Sequence, residues 1–234
     1  MPSTRRTALL TALLLGPALL VTACAGPSGD GGTGPTPGAA DRALLDAARS
    51  GDADAVRDAI RRGARLEVRD GERRTPLLLA STNDHVRAAE VLVRAGADPD
   101  ALDQQHDTPW LVTGVTGSAA MARTLAAADP DYTVVNRYGG TSLIPAGEHG
   151  HVDYVREVTT NPDIDVDIDH VNDLGWTALL EAVLLGDGGR DHQETVRLLL
   201  AGGADPGIAD RSGTTALQHA RQRGFDEIAR LLGG

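Results

Sequence analysis

Short runs of apolar residues recur along the chain from residue 41 to its end, and an amphipathic segment follows each run. The runs are RALLDA (42–47), TPLLLA (75–80), TPWLVT (108–113), TSLIPA (141–146), TALLEA (177–182) and TALQHA (215–220). Their third residues are separated by 33, 33, 33, 36 and 38 positions. Segments such as AVRDAIRR and AAEVLVRA follow the runs with apolar residues at helical spacing. The pattern therefore predicts an all-α chain of about six units, each of two short helices, stacked as a solenoid.

Polar residues and glycines mark the turns between these helices. An Asp or Asn stands five residues before the threonine of the last five runs, at Asp70, Asp103, Asn136, Asn172 and Asp210. A shared turn position two residues before the threonine holds Arg73, His106, Gly139, Gly175 and Gly213. The threonines are predicted N-caps, at Thr75, Thr108, Thr141, Thr177 and Thr215. Pro76 and Pro109 suit a first helical turn, because no N–H is needed there.

The period, the Asp/Asn-x-x-Gly-x-Thr-x-Leu opening and the Gly-Ala-Asp close of the second helices resemble the ankyrin repeat. The resemblance covers residues 41–234 as six repeats, with the first and last as caps. It implies β-hairpin-like fingers and a concave groove formed by the finger tips and the inner helices. The family usually has histidine after the motif leucine. This chain has Leu45, Leu78, Leu111, Ile144, Leu180 and Gln218 there, which bears on helix-start geometry and not on the fold.

The first 23 residues have the pattern of an export signal. Arg5 and Arg6 precede a short apolar run, and small residues come directly before Cys24, the chain's only cysteine. Val-Thr-Ala-Cys resembles the bacterial lipobox, which implies that Cys24 is lipidated and anchors an exported protein on the outer side of the cell membrane. The alternatives are an ordinary signal peptide with an incidental cysteine, and, for the route, twin-arginine export suggested by TRRTALL.

Residues 24–40 are expected to form the lipidated cysteine and a flexible tether. Beyond Cys24 the segment consists of Gly, Pro, Ser, Thr, Ala and one Asp, and such a composition cannot bury enough apolar surface to fold. Its glycines lack the preceding strand and the following lysine of a phosphate-binding loop.

Charge and composition exclude several classes of function. The net charge is −11, and all 22 basic residues are arginine, so a nucleic-acid partner is not expected and a protein partner with a basic surface is favoured. A single cysteine allows no intramolecular disulfide. No catalytic motif is present, so we expect a non-enzymatic protein without a cofactor. His149 and His151 suggest a metal site, but that pair falls at the turn between helices.

Two insertions interrupt the period. In residues 161–173, four aspartates alternate with aliphatic residues. This suggests either a site for calcium or a basic partner or, as we favour, a lengthened finger with its aliphatic face packed. In residues 184–196, extra residues are expected to lengthen the surface connection between two helices.

The candidate binding residues are the turn positions and inner-helix positions that the fold leaves free. They are Arg74, Gln105, Arg137, Tyr138, Asp173, Leu174, Trp176, Glu181, Arg211 and His219. Tyr138 and Trp176 are the predicted anchors because aromatic residues concentrate interface energy, although Trp176 has the alternative of packing against the acidic finger. Trp110 replaces a motif leucine and is predicted to lie in the core.

These observations favour a monomeric, non-catalytic module that binds a protein or peptide. One alternative is a protective or immunity-like partner of a secreted enzyme or toxin. Another is an envelope protein that binds a metal or a small ligand.

Overall fold

The structure, a computed structural model, describes residues 38–233. The predicted signal peptide, Cys24 and nearly all of the predicted tether lie outside these residues. The described part contains twelve helices, which are α1 (Ala39–Ser50), α2 (Ala53–Arg61), α3 (Pro76–Thr82), α4 (Val86–Arg94), α5 (Leu111–Thr116), α6 (Ala119–Ala126), α7 (Leu143–His149), α8 (Val152–Thr160), α9 (Ala178–Leu184), α10 (Arg190–Ala201), α11 (Ala216–Arg223) and α12 (Asp226–Leu231). None of them is long and apolar enough to cross a membrane.

The helices form six consecutive pairs, here called units 1 to 6, which stack side by side in two layers. Each odd-numbered helix packs against the next odd-numbered helix, and each even-numbered helix packs against the next even-numbered one. We call the odd-numbered helices the inner layer. The prediction of an all-α solenoid of six units is confirmed. The predicted β-hairpin-like fingers are turns, because residues 38–233 contain one isolated β-bridge, between Ala209 and Thr215, and no strand.

An Asp or Asn side chain closes each of the five fingers. Its Oδ1 accepts the backbone N–H groups two and four residues later, at 2.7 to 3.1 Å. Its own N–H donates to the carbonyl four residues later, as Asn172 does to Trp176. The polar groups of a tight turn are thereby satisfied within the turn itself. The recurring residues are Asp70, Asp103, Asn136, Asn172 and Asp210, so their fixed spacing in the sequence reflects this bonding.

The shared turn position of every finger is left-handed. The φ angles there are 63° at Arg73 and His106, 68° at Gly139, 86° at Gly175 and 77° at Gly213. Glycine adopts this conformation without the steric cost that a Cβ imposes. Two of the five fingers therefore carry local strain that the other three avoid.

Three of the five predicted threonine caps form. The Oγ1 atoms of Thr75, Thr177 and Thr215 each accept the N–H of the residue three positions later. Thr108 accepts the N–H of Leu111 in the same way, but α5 begins only at Leu111, so Thr108 is not its N-cap. Pro76 opens α3 as expected, whereas α5 begins after Pro109.

The predicted cap at Thr141 is wrong. Its hydroxyl is buried without a hydrogen-bond partner, and α7 begins later, at Leu143. Pro145 explains the shift, because it has no N–H to donate to the carbonyl of Thr141. That carbonyl instead accepts the N–H of Ile144 in a tighter turn.

The core is aliphatic and rich in alanine, and Trp110 belongs to it as predicted. Its side chain is 1% exposed and contacts the ring of Tyr132 edge-on, with the ring centroids 4.8 Å apart. Nearby, the hydroxyls of Thr113 and Tyr154 lie 2.8 Å apart in a buried hydrogen bond. Trp110 thus occupies in unit 3 the core position that leucine holds in the other five units.

The aliphatic residues of the 161–173 insertion pack inward. Ile164 is buried, Val166 and Ile168 lie against the core, and Asp163 and Asp165 are exposed. The packing favours the lengthened-finger interpretation. In the 184–196 insertion the connection occupies only 185–189, because the residues after it form the first turns of α10.

We expect Arg73→Gly to stabilise the protein by up to about 1 kcal/mol, because it removes left-handed strain from an exposed position. The matched reverse change, Gly213→Ala, should destabilise it by about 1 kcal/mol, since a Cβ there meets no atom within 4 Å and only the backbone is affected. Urea unfolding measures both. Equal stabilities of the two variants would contradict this account of the fingers.

Candidate functional site

A cavity of about 570 Å³ lies between the inner helices α5, α7 and α9 and the two fingers that precede α7 and α9. Volumes of this size are typical of ligand-binding clefts. Three consecutive units, numbers 3 to 5, therefore contribute to one site.

The helical part of the lining comes from one face of each inner helix. α5 contributes Val112 and Val115, α7 contributes Pro145 and Glu148, and α9 contributes Glu181 and Leu185 at its C-terminal end. The two residues in each pair are three or four positions apart, which places them on the same side of a helix. The fingers add Arg137, Tyr138 and Leu174.

Large apolar side chains are exposed around this cavity. Val115, Tyr138, Leu174 and Leu185 have exposed fractions of 54%, 57%, 53% and 49%. All four line the cavity. A contiguous group of exposed apolar side chains marks an interaction surface more often than single exposed residues do.

Three carboxylates line this cavity. Glu148 and Glu181 lie on adjacent inner helices, and Asp107 lies in a finger and contacts Arg137. Glu181 is 5% exposed, and its Oε1 accepts a hydrogen bond of 2.8 Å from the side-chain amide of Asn172. Burial, together with the negative charge of Glu148, raises the pKa of Glu181 to about 7, and the amide only partly offsets this. The site therefore holds a carboxyl group that ionises near neutral pH.

Arg137 lies at the edge of the cavity and already has two partners. Its guanidinium is 4.7 Å from the centre of the Tyr138 ring, in a cation–π contact. Its Nη1 is 3.7 Å from a carboxylate oxygen of Asp107. The tyrosine is held in place by its neighbour while most of its ring surface remains available.

The structure brings four of the ten predicted binding residues together at the cavity: Arg137, Tyr138, Leu174 and Glu181. The other six do not line it. Arg74 pairs with Asp70 in its own finger, and Arg211 donates a hydrogen bond to the carbonyl of Asp173. Gln105 lies at an exposed finger tip.

Trp176 packs against the core, and His219 contacts its own unit. Trp176 is half-buried against the core and outside the cavity, an arrangement that favours its packing interpretation. The Nε2 of His219 lies 2.7 Å from Oδ2 of Asp210, the residue that closes its own finger.

Val115, Glu148 and Leu185 line the cavity but were not among the predicted binding residues. The predicted residues on the inner helices lie two positions after the motif leucine, where Glu181 lies. The missed residues lie one helical turn later on the same face. The helical period could therefore have predicted them, because it places these apolar and acidic residues on the cavity face near the C-terminus of each inner helix.

Three histidines at or near the start of even-numbered helices bind the backbone of the preceding unit. The Nε2 atoms of His85, His151 and His192 donate to main-chain carbonyls at 3.1, 3.1 and 2.9 Å. Across residues 38–233, no three His, Cys, Asp or Glu side chains are grouped so as to hold a metal ion. These histidines join neighbouring units.

Comparison with known proteins gives consistent matches. The family model for ankyrin repeats in three copies matches residues 44–136 and 129–233. YahD of Escherichia coli strain K12, described as an ankyrin repeat protein, is 39% identical over 186 residues, which are 80% of this chain and 92% of that protein.

Two solved structures extend the comparison. An ankyrin repeat domain from Acinetobacter baumannii AYE is 42% identical, with a TM-score of 0.75, over 81% of this chain and 95% of that one. The ankyrin repeat domain of Bcl-3, a member of the IkappaB protein family, is 28% identical, with a TM-score of 0.72, over 88% of this chain and 86% of that one.

Glu181 should make stability depend on pH. Its raised pKa means that the folded state holds the proton more tightly than the unfolded state. The protonated form therefore favours folding, and that stability is lost as pH rises from about 4.5 to beyond 7. Glu181→Gln keeps an acceptor for Asn172 and removes the charge. We expect it to be neutral at pH 4.5 and to stabilise the protein by about 2 kcal/mol at pH 8.

Urea unfolding at pH 4.5, 6 and 8 tests this expectation. Glu90→Gln, at an exposed position on α4, is the matched control and should give a small, constant difference. A difference for Glu181→Gln that does not change with pH would contradict the assignment.

Proposed function

The chain is a member of the ankyrin repeat family, whose repeats are protein–protein interaction modules, and from this premise we propose that its cavity in units 3 to 5 binds a segment of a partner protein. The family is in general a non-enzymatic scaffold. The proposed module acts by binding, without catalysis and without a cofactor.

The observation that carries this proposal is the group of four half-exposed apolar side chains around one cavity. Tyr138 is the central anchor, because tyrosine offers a large contact area with few rotatable bonds. Leu174 on the next finger and Val115 and Leu185 on the inner helices surround the same space. A partner segment would bury these side chains together, and burial of apolar area is the main source of binding energy.

The charge of the chain supports a partner with a basic surface. At a net charge of −11 the protein attracts cationic surfaces and repels nucleic acids. We propose that the protein is monomeric and that its partner is a protein or peptide.

The N-terminal sequence supports a location outside the cytoplasm. We propose that Cys24 carries the lipid, that residues 1–23 are removed, and that a short tether keeps the repeats near the outer side of the cytoplasmic membrane. The lipid is the proposed membrane attachment, and the partner is an envelope protein.

We expect Tyr138→Ala combined with Leu174→Ala to weaken partner binding at least tenfold, because both anchors of the cavity are lost. The full chain with a C-terminal tag is used to capture partners from detergent-solubilised envelope. Leu102→Ala with Val171→Ala is the matched control, since it removes two exposed apolar side chains outside the cavity. Equal capture by both double variants, with helical circular dichroism intact, would exclude the cavity as the binding site.

In a Triton X-114 partition, Cys24→Ala should move the protein from the detergent phase to the aqueous phase, because the acyl chains supply the membrane attachment. Ser28→Ala, in the same predicted tether, is the control and should remain with the membranes. Identical partition of Cys24→Ala and the unmodified chain would contradict lipidation at this residue.

A further inference from the structure

The carboxylates of Glu148 and Glu181 line the binding cavity without a cationic partner. Within residues 38–233, neither carboxylate forms an ion pair with a basic side chain. Arg137 lines the same cavity, but it is engaged by Asp107 and Tyr138. A carboxylate as buried as Glu181 is costly unless it is paired.

The other units show that the fold does not need a carboxylate at the position of Glu181. The corresponding residues of units 2, 3 and 4 are Leu79, Val112 and Pro145, and none of them carries a charge. Unit 1 has Asp46 there, which is exposed and pairs with Arg49. An apolar side chain therefore satisfies the packing at this position.

Unit 6 provides an internal comparison. His219 there contacts the carboxylate of Asp210, nine residues earlier. In unit 5 the equivalent pair is Glu181 with the neutral amide of Asn172, also nine residues earlier. The unit 5 carboxylate therefore has an amide as its partner and no basic side chain, and Glu148 adds a second carboxylate to the cavity.

We propose that Glu148 and Glu181 form a subsite for the cationic end of one lysine or arginine side chain of the partner segment, with the adjoining apolar part of that segment between Tyr138 and Leu174. This inference rests on the proposed function. Charge complementarity identifies the occupant, since two unpaired carboxylates match one cation. The apolar rim matches the aliphatic stem of lysine or arginine, which buries its methylenes while its charged end is paired.

The groups around Glu181 predict that binding depends on pH. Glu148 and His149 line the same cavity from α7, Arg137 and Asp107 from the fingers that precede α7 and α5, and Asn172 from its own finger. Because the pKa of Glu181 is raised to about 7, a bound cation would favour the charged form and displace its proton. Binding should therefore tighten between pH 6 and pH 8.

The test uses random 12-residue peptides displayed on phage and selected on the full chain. We expect selected peptides to contain lysine or arginine next to an apolar residue. Fluorescence anisotropy then measures Kd for a selected peptide and for its norleucine-substituted form. Glu148→Gln and Glu181→Gln should each weaken the cationic peptide about tenfold and leave the norleucine peptide unaffected, while Glu90→Gln should change neither.

The pH comparison is made in the His149→Gln background, because that imidazole lines the same cavity and is itself ionisable. The tightening between pH 6 and pH 8 should persist there and disappear when Glu181→Gln is added.

The remaining outcomes distinguish failure of the cation subsite from failure of the cavity as a binding site. Peptides that bind without lysine or arginine, weaken with Tyr138→Ala and ignore both Gln substitutions would overturn the cation subsite and leave the proposed function standing. Failure to select any peptide that is sensitive to Tyr138→Ala would overturn both.

Discussion

Each helix pair of this chain has an apolar face that only a neighbouring pair can cover. The inner helices pack on inner helices, and the even-numbered helices pack on even-numbered helices. The core is therefore a continuous aliphatic layer to which every unit contributes. The fingers and the histidines at the helix turns then fix how one unit meets the next. His151 and His192 do so by hydrogen bonds to the preceding inner helix. The cavity forms because these contacts keep units 3, 4 and 5 stacked, with α5, α7 and α9 side by side.

The sequence predicts the fold well because the stacking interactions repeat. The finger Asp and Asn residues, the left-handed turn position and three of the threonine caps have local causes, and each recurs at a readable spacing. Thr141 does not cap α7, because a proline four residues later removes the donor that its carbonyl needs. In unit 3, α5 begins at Leu111 and not directly after Thr108. These local differences alter two helix starts and leave the stack unchanged.

The site was only partly predictable, because it arises from three units at once. Tyr138 and Leu174 could be found from their free turn positions. The role of Glu148 depends on the packing of α7 beside α9, which lets its charge act on Glu181, and spacing within one unit does not reveal this packing. Trp176 shows the opposite case, since an aromatic residue at a finger position packs against the core and does not line the cavity. Sequence spacing reports which face a residue occupies, and it does not report which neighbours share that face.

Both departures from the 33-residue period adjoin α9, one before it and one after it. α9 and α5 are not direct neighbours in the stack, since α7 lies between them. The distance across the cavity is therefore set by the curvature of three successive units, and a small rotation between units changes it. A segment bound to both α5 and α9 would resist such a rotation, so binding in the proposed cavity would also make units 3 to 5 more rigid.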